Sequence, residues 1–404
     1  MNIIDRIFSK TEYQLPIVFK SDDFKTEVQR LMTNYINELT RENVDEKIVG
    51  KIRKFRASCS YTLTNYLRGI HSNAFVNFEK AIANLDIENS LLLKSTLGGD
   101  VLFRGRENKE DRDYDDDQMY HIPLDKRGII TTQRYSFPRL PCLYAGASIY
   151  TCWVEMNRPS FDKFQVATIE PNEEAQKMKV YDLSNIPQRI NDLRKEIWFD
   201  EDEYLCYWPL MALCSIKSNH DNNAFKPEYI FPQFLLEHIM KGKKNEEYVG
   251  IRYISIKVAS ICRKQLEEDW HTYVNYVFPS RSDSMSEKRC SILNDRFIIS
   301  HNRSGRELQV LAGVLGRDRV RTKFHKFGEK KSQKDILFER LYGRRVYTHD
   351  GKSYPYILSE YGLTEVAVQI ERLEDIEEDN DLEIMVSTSA DIDGLFPAVN
   401  NSDA

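Results

Sequence analysis

"RYSFPRLPCLYAGASIYTCWVEM", residues 134–156, is the stretch on which the fold turns. Pro138 and Pro141 break it early, because proline fixes its own φ and removes a backbone donor. "CLYAG" then suits a short buried strand. Ser148 is placed to cap a helix over "IYTCWVEM", in which Ile149, Cys152, Trp153 and Met156 share one face. Residues 132–156 therefore predict strand, turn, strand and helix. Arg134, Tyr144 and Glu155 are the polar guests, spaced ten and eleven residues apart. Taken singly, each has a plain structural reading: a surface arginine, a core tyrosine with a satisfied hydroxyl, a solvent-facing glutamate.

Upstream, "VLFRGR" (101–106) predicts a short strand, and Glu107 to Asp117 is too acidic for a core and predicts a solvated loop. Residues 22–92 read mainly as helix. Phe24, Val28, Leu31, Ile36 and Leu39 recur near a 3.6-residue period, with Asp22 or Asp23 as cap. Downstream, "DEYLCYWPLMALCSIK" predicts a buried helix kinked or begun at Pro209, with Trp208, like Trp153, in the core. "PQFLLEHIMKGK" predicts another, with Pro232 in its first turn and Gly242 near its end. "EYVGIRYISIKV" alternates, setting Ile254, Ile256 and Val258 against Tyr253, Ser255 and Lys257, a strand with one polar side facing a cleft. "TYVNYVFPS" predicts a further strand. In the C-terminal region, Asp350-Gly351 signals a hairpin, "TEVAVQIERL" alternates like a strand, and the final residues are polar enough to fray. These elements together predict an α+β fold, with mixed and antiparallel sheet and a helical N-terminal region.

The 404 residues carry 57 Lys and Arg against 63 Asp and Glu, a formal net charge of −6. No global basic field argues for nucleic acid. The basic run Gly316–Lys331 reads as a solvated face. No apolar run approaches the ~20 residues of a membrane helix. The N-terminus lacks a signal-peptide pattern. The seven cysteines are odd in number and form no C-x-x-C pair, so neither zinc nor a disulfide framework is indicated and a reducing cytoplasm is the expected compartment. His121 and His238 read as structural. Phosphate-loop, dinucleotide-fingerprint, zinc-hydrolase and serine-hydrolase motifs are all missing.

Four segments then occur in order: "LFRGR", "YHIPLDKRGIITTQRYSFPRLPCLYAGASIYTCWVE", "KPEYIFPQFLLEHI" and "VGIRYISIK". Together they resemble the RES domain, named for its Arg, Glu and Ser, over residues 95–280. By position, Arg134 is the motif arginine, Tyr144 the tyrosine of "LY", Glu155 the glutamate and Ser255 the serine. Arg104 falls where such proteins carry an early arginine. Arg139 departs from the pattern, which has glycine there, and implies a different turn. The resemblance implies an ADP-ribosyltransferase-like core over residues 93–290, preceded by a helical region over 1–92 and followed by an α+β extension over 291–404 with an acidic tail. It also implies an enzyme that consumes NAD as substrate, without a metal, and cleaves the nicotinamide–ribose bond. The acceptor would be water, inorganic phosphate or a protein. Members are often bacterial toxins paired with an antitoxin.

The chemistry asks for these residue types. Cleavage expels neutral nicotinamide and leaves an oxocarbenium-like ribose, the charge problem that glycosidases solve with carboxylates. Glu155 suits that cation. A guanidinium such as Arg134 or Arg104 suits the pyrophosphate, Tyr144 can stack on the nicotinamide ring, and Ser255 can orient Glu155 and bind ribose hydroxyls. The alternative expectation is a RES-like module that binds a nucleotide or a partner without turnover. Oligomerisation and the role of the N-terminal helices stay open.

Overall fold

A computed structural model of the chain describes residues 2–19, 21–86, 90–108, 112–217, 223–241, 248–257, 266–267, 269–308, 310, 344–347, 353–356 and 359–376. Gly242, Val258, the basic run 316–331, Asp350-Gly351 and the C-terminal tail lie outside them. The chain divides into two compact units, one of Met1–Ser160 with Phe164–Asn302, the other of Phe161–Lys163 with Arg303–Ala404.

The first unit opens with α1 (Ile3–Phe8) and β1 (Ile17–Val18), followed by α2 (Phe24–Arg41), α3 (Glu46–Leu67) and α4 (His71–Leu85). Asp23 caps α2 by accepting from the Thr26 amide at 3.0 Å. Strands β2 (Lys94–Thr96) and β3 (Leu102–Glu107) come next. The acidic run is not all loop: Asp115 and Gln118 form a reciprocal capping box that starts α5 (Asp116–Met119). Then come β4 (Cys142–Gly146), α6 (Ile149–Glu155), β5 (Phe164–Pro171), α7 (Glu173–Lys177), β6 (Lys179–Leu183) and α8 (Ile190–Leu193). Finally α9 (Glu201–Cys214), β7 (Ile216–Lys217), α10 (Ile230–Met240), β8 (Tyr248–Ile254), β9 (Val274–Pro279), α11 (Ser291–Asn294) and β10 (Phe297–Arg303) complete the described elements.

Eight strands form one sheet in the order β10-β5-β3-β4-β9-β8-β6-β2. The β6–β8 pair is parallel, whereas β2–β6, β3–β5, β3–β4, β4–β9 and β8–β9 are antiparallel. The architecture is the expected α+β one with a mixed sheet. Three local expectations are corrected. No strand forms at 132–136, where Gln133 and Ser136 make one isolated bridge in a tight turn. Strand β8 ends at Ile254, so Ser255 lies just beyond it. Trp153 is half-buried rather than core, its indole donating to the Pro159 carbonyl at 2.8 Å.

Helix α9 is buried on every side from Tyr204 to Cys214, as a helix apolar all round must be. It begins at the Asp200 cap and runs through Pro209. Proline has no N–H for the carbonyl four residues back, that of Leu205. The Tyr35 hydroxyl of α2 supplies the missing donor at 3.0 Å. Trp208 stacks near Tyr35, with ring centroids 4.3 Å apart, and donates to the Tyr13 carbonyl at 3.1 Å. Strand β1 pairs parallel with β7, and Gln188 donates to the Leu15 carbonyl at 2.6 Å. The N-terminal helices thus share one continuous core with the sheet.

In the second unit, β11 (Arg345–Tyr347) and β12 (Ser353–Pro355) pair as the expected antiparallel hairpin. "TEVAVQIERL" is not a strand. It lies within α12 (Glu360–Ile376), where Thr364 to Gln369 are buried without alternation and the Ser359 hydroxyl accepts from the Gly362 amide at 2.9 Å. Glu365, buried in this helix, accepts from Arg344 and from the Tyr356 hydroxyl at 3.1 and 2.8 Å.

Candidate active site

Helix α6 is seated on the sheet by its first turn. The Ser148 hydroxyl accepts from the Thr151 amide at 3.0 Å, as expected of the cap, and donates to the Thr272 carbonyl at 2.7 Å. Thr151 also donates to that carbonyl. Gly105 and Gly146 let the helix come close. A Cβ on Gly146 would stand 2.9 Å from Cys152 Sγ, and one on Gly105 would stand 2.9 Å from Cys152 Cβ. Cys152 Sγ instead rests 3.1 Å from the Phe103 carbonyl.

This seating carries Glu155, the last residue of α6, to the exit of β8 and the start of β9. Glu155 Oε1 accepts from the Ser255 hydroxyl at 2.5 Å and from Asn275 Nδ2 at 2.7 Å. Oε2 takes no hydrogen bond among the described residues. Ser255 is itself buried and held, its amide donating to the Tyr273 carbonyl at 2.9 Å. The pair Glu155 and Ser255, a hundred residues apart in sequence, is therefore in direct contact.

Three strands present the floor of the site. Tyr144 pairs with Val277, and Tyr253 and Gly146 both pair with Asn275, so Tyr144, Asn275 and Tyr253 share one face. The Tyr144 hydroxyl lies 3.1 Å from the Ser136 hydroxyl. Burial holds the Tyr144 phenol well above its ordinary pKa. Tyr253 is raised likewise, first by burial and then by the Glu155 carboxylate beside it. Its ring packs against Tyr135, centroids 4.6 Å apart. On the opposite face of β8, Arg252 pairs with the buried Asp182 of β6, which also accepts from Ser95 and Ser184 at 2.6 Å each. That ion pair holds Asp182 below and Arg252 above their ordinary values; desolvation opposes both shifts and the partner charge outweighs it. It fixes the register of β8, and register decides which face Tyr253 takes.

Arg104 lies at a seam. Strands β3 and β4 share one register pair, Phe103 with Gly146. One step beyond it, Arg104 Nη1 donates to the Tyr144 carbonyl at 2.9 Å. Its Nε is buried and has no hydrogen-bond partner among the described residues. Burial, and then the nearby Arg106, pull its pKa down to about 9. A cation so placed gains from an anion.

Arg134 is placed differently. It is 8% exposed, with Nη1 and Nη2 donating to the carbonyls of Cys214 and Ile216 at 3.2 and 3.0 Å. The Tyr229 ring covers it, 5.0 Å from Cζ. The guanidinium thus braces the turn from α9 into β7. Arg139, where the pattern has glycine, has φ +70°, in the left-handed region that glycine favours.

Sequence reasoning named Arg104, Arg134, Tyr144, Glu155 and Ser255 and set Tyr253 on the cleft side, but missed Asn275. The available signal was a buried amide inside the apolar run "TYVNYVF". The two histidines have structural partners: His121 Nδ1 faces the Ile122 carbonyl at 2.7 Å while Nε2 accepts from the Cys290 amide at 2.9 Å, and His238 faces Glu79 at 2.6 Å. Among the described residues no group of His, Cys, Asp and Glu could hold a metal ion, and no helix is long and apolar enough to cross a membrane.

Among curated proteins, the chain is similar to one described as "Putative toxin YopC" from Bacillus subtilis (strain 168), with 33% identity over 297 residues. The match covers 69% of this chain and 65% of that protein, so it spans just under two thirds of the relative's length. No protein-family profile matches the chain, and no solved structure matches it.

Proposed function

We propose that the chain is an NAD-consuming enzyme that cleaves the nicotinamide–ribose bond and acts as a toxin by depleting NAD. The observation that carries the reading is Glu155: one carboxylate oxygen tied to Ser255 and Asn275, the other without a hydrogen bond among the described residues, with Tyr253 beside the carboxylate. The RES resemblance supplies the substrate, on the four segments quoted above. The toxin description of the B. subtilis protein supplies the biological sense.

In this reading the bond from ribose C1′ to the ring nitrogen breaks and its electron pair stays on nicotinamide, which leaves neutral. Glu155 Oε2 faces the cation that develops on the ribose, and a fixed carboxylate there needs no reorganisation as the charge appears. Tyr144 or Tyr253 offers a ring face to the flat nicotinamide cation. For the pyrophosphate the resemblance offers Arg104, which starts from the sheet face opposite Tyr144 and reaches the β3–β4 seam with Nη1, while Arg134 holds the scaffold. The acceptor then adds to C1′ and gives up its proton; it is water, phosphate or a protein side chain.

The test is to incubate the purified protein with NAD, with and without phosphate, and to follow free nicotinamide. The wild type is expected to release it, and Glu155→Ala to lose at least ~100-fold in rate. Release that depends on phosphate would identify phosphorolysis. No release under any condition would overturn the enzymatic reading, and equal release by both proteins would overturn the role of Glu155.

A further inference from the structure

We infer that Asn275 is a positioning residue for Glu155, an inference that rests on the reading of Glu155 as the group facing the ribose cation. Asn275 is 4% exposed, inside a strand that is otherwise apolar where it is buried. A buried amide commonly satisfies itself on backbone groups. This one donates to a carboxylate at the head of the site, and to the same oxygen that Ser255 already holds. Two donors converging on one oxygen fix the rotation of the carboxylate as well as its place, and they leave the second oxygen as the one that faces the substrate.

One donor lies on β9 and the other just past the end of the adjacent strand β8. Asn275 stands opposite Tyr253 in the antiparallel β8–β9 ladder, and Ser255 follows two residues after Tyr253. Their separation is therefore set by the ladder and not by loose rotamers. Displacements near 1 Å at a reacting centre cost on the order of 100-fold in rate, so a carboxylate held by one donor instead of two loses rate without losing NAD affinity.

The experiment compares kcat and KM for NAD in the wild type, Asn275→Ala and Asn275→Asp. Asn275→Ala is expected to lower kcat roughly 10- to 100-fold with KM within about twofold. Asn275→Asp keeps the shape but removes the donor and adds a like charge. Its kcat, relative to wild type, should recover as the pH is lowered, because a proton shared between the two carboxyls restores a donor to Oε1. Among the described residues, Tyr253, with Tyr144 on the same sheet face, and Lys257 are titratable side chains near Glu155, and both variants retain them. A merely structural asparagine would give no such acid recovery. Wild-type kcat in Asn275→Ala, or a loss confined to KM, would overturn the inference. Should the wild type release no nicotinamide, the functional reading falls and the positioning is read from a crystal structure of Asn275→Ala. There the Glu155 carboxylate should turn away from its present place, and one that stays put would overturn the inference on its own.

Discussion

Arg134 and Glu155 call for different measurements. Arg134→Ala removes the donors from two buried carbonyls, those of Cys214 and Ile216. Leaving such groups unpaired costs about 1–3 kcal/mol each, so the urea midpoint should fall by an amount equivalent to about 2–6 kcal/mol. Glu155→Ala should lose nicotinamide release while its midpoint moves by less than that. If Arg134→Ala were as stable as wild type, its bracing role would be wrong. Arg139 offers the opposite sign. A non-glycine residue at φ +70° carries about 1–2 kcal/mol of strain, partly offset by the entropy glycine loses on folding. Arg139→Gly should therefore raise stability by about 0.5–1 kcal/mol, read in the same urea titration. Glu155 and Ser255 were legible in the sequence because they sit in segments with a recognisable pattern. Asn275 was not, since one amide in an apolar strand leaves no periodic trace and its partner lies 120 residues away.

Among the elements, α6 and the strands beneath it were legible because each carries a local signal: a serine cap, an alternation, a glycine before a turn. Helix α12 was misread for a physical reason. "TEVAVQIERL" alternates apolar and polar residues, but Thr364, Glu365 and Gln369 are buried and Glu365 is paired with Arg344 and Tyr356, so polarity there does not mean solvent. The Ser359 cap was the overlooked sign of a helix. The seating of α6 gives its own prediction. Gly146→Ala places a Cβ 2.9 Å from Cys152 Sγ and 3.2 Å from the Ser148 carbonyl, so α6 must shift. Overpacking of this kind costs about 1–3 kcal/mol, and the shift should also lower nicotinamide release by moving Glu155. Unchanged stability and rate would show that α6 has slack.

For the whole molecule, the sequence separated a helical N-terminal region from the rest by texture alone. Texture does not reveal that Tyr13, Leu15 and Tyr35 each accept or donate a hydrogen bond across to residues 188–208, because those partners are distant in sequence. A variant lacking residues 1–90 would expose α9, which is buried all round, along with Trp208 and the partner edge of β7. It should fail to yield folded soluble protein, shown by the loss of a cooperative thermal transition. A folded, more active truncation would instead make the N-terminal helices a detachable restraint.

The thiol of Cys152, buried between α6 and β3, makes the molecule its own recorder of how often the site breathes. An alkylating reagent can reach that sulfur only when α6 lifts from the sheet. The rate of labelling at this one cysteine, followed by peptide mass spectrometry, would therefore clock the opening of the very contact that holds Glu155 in place, and a bound nucleotide should slow the clock.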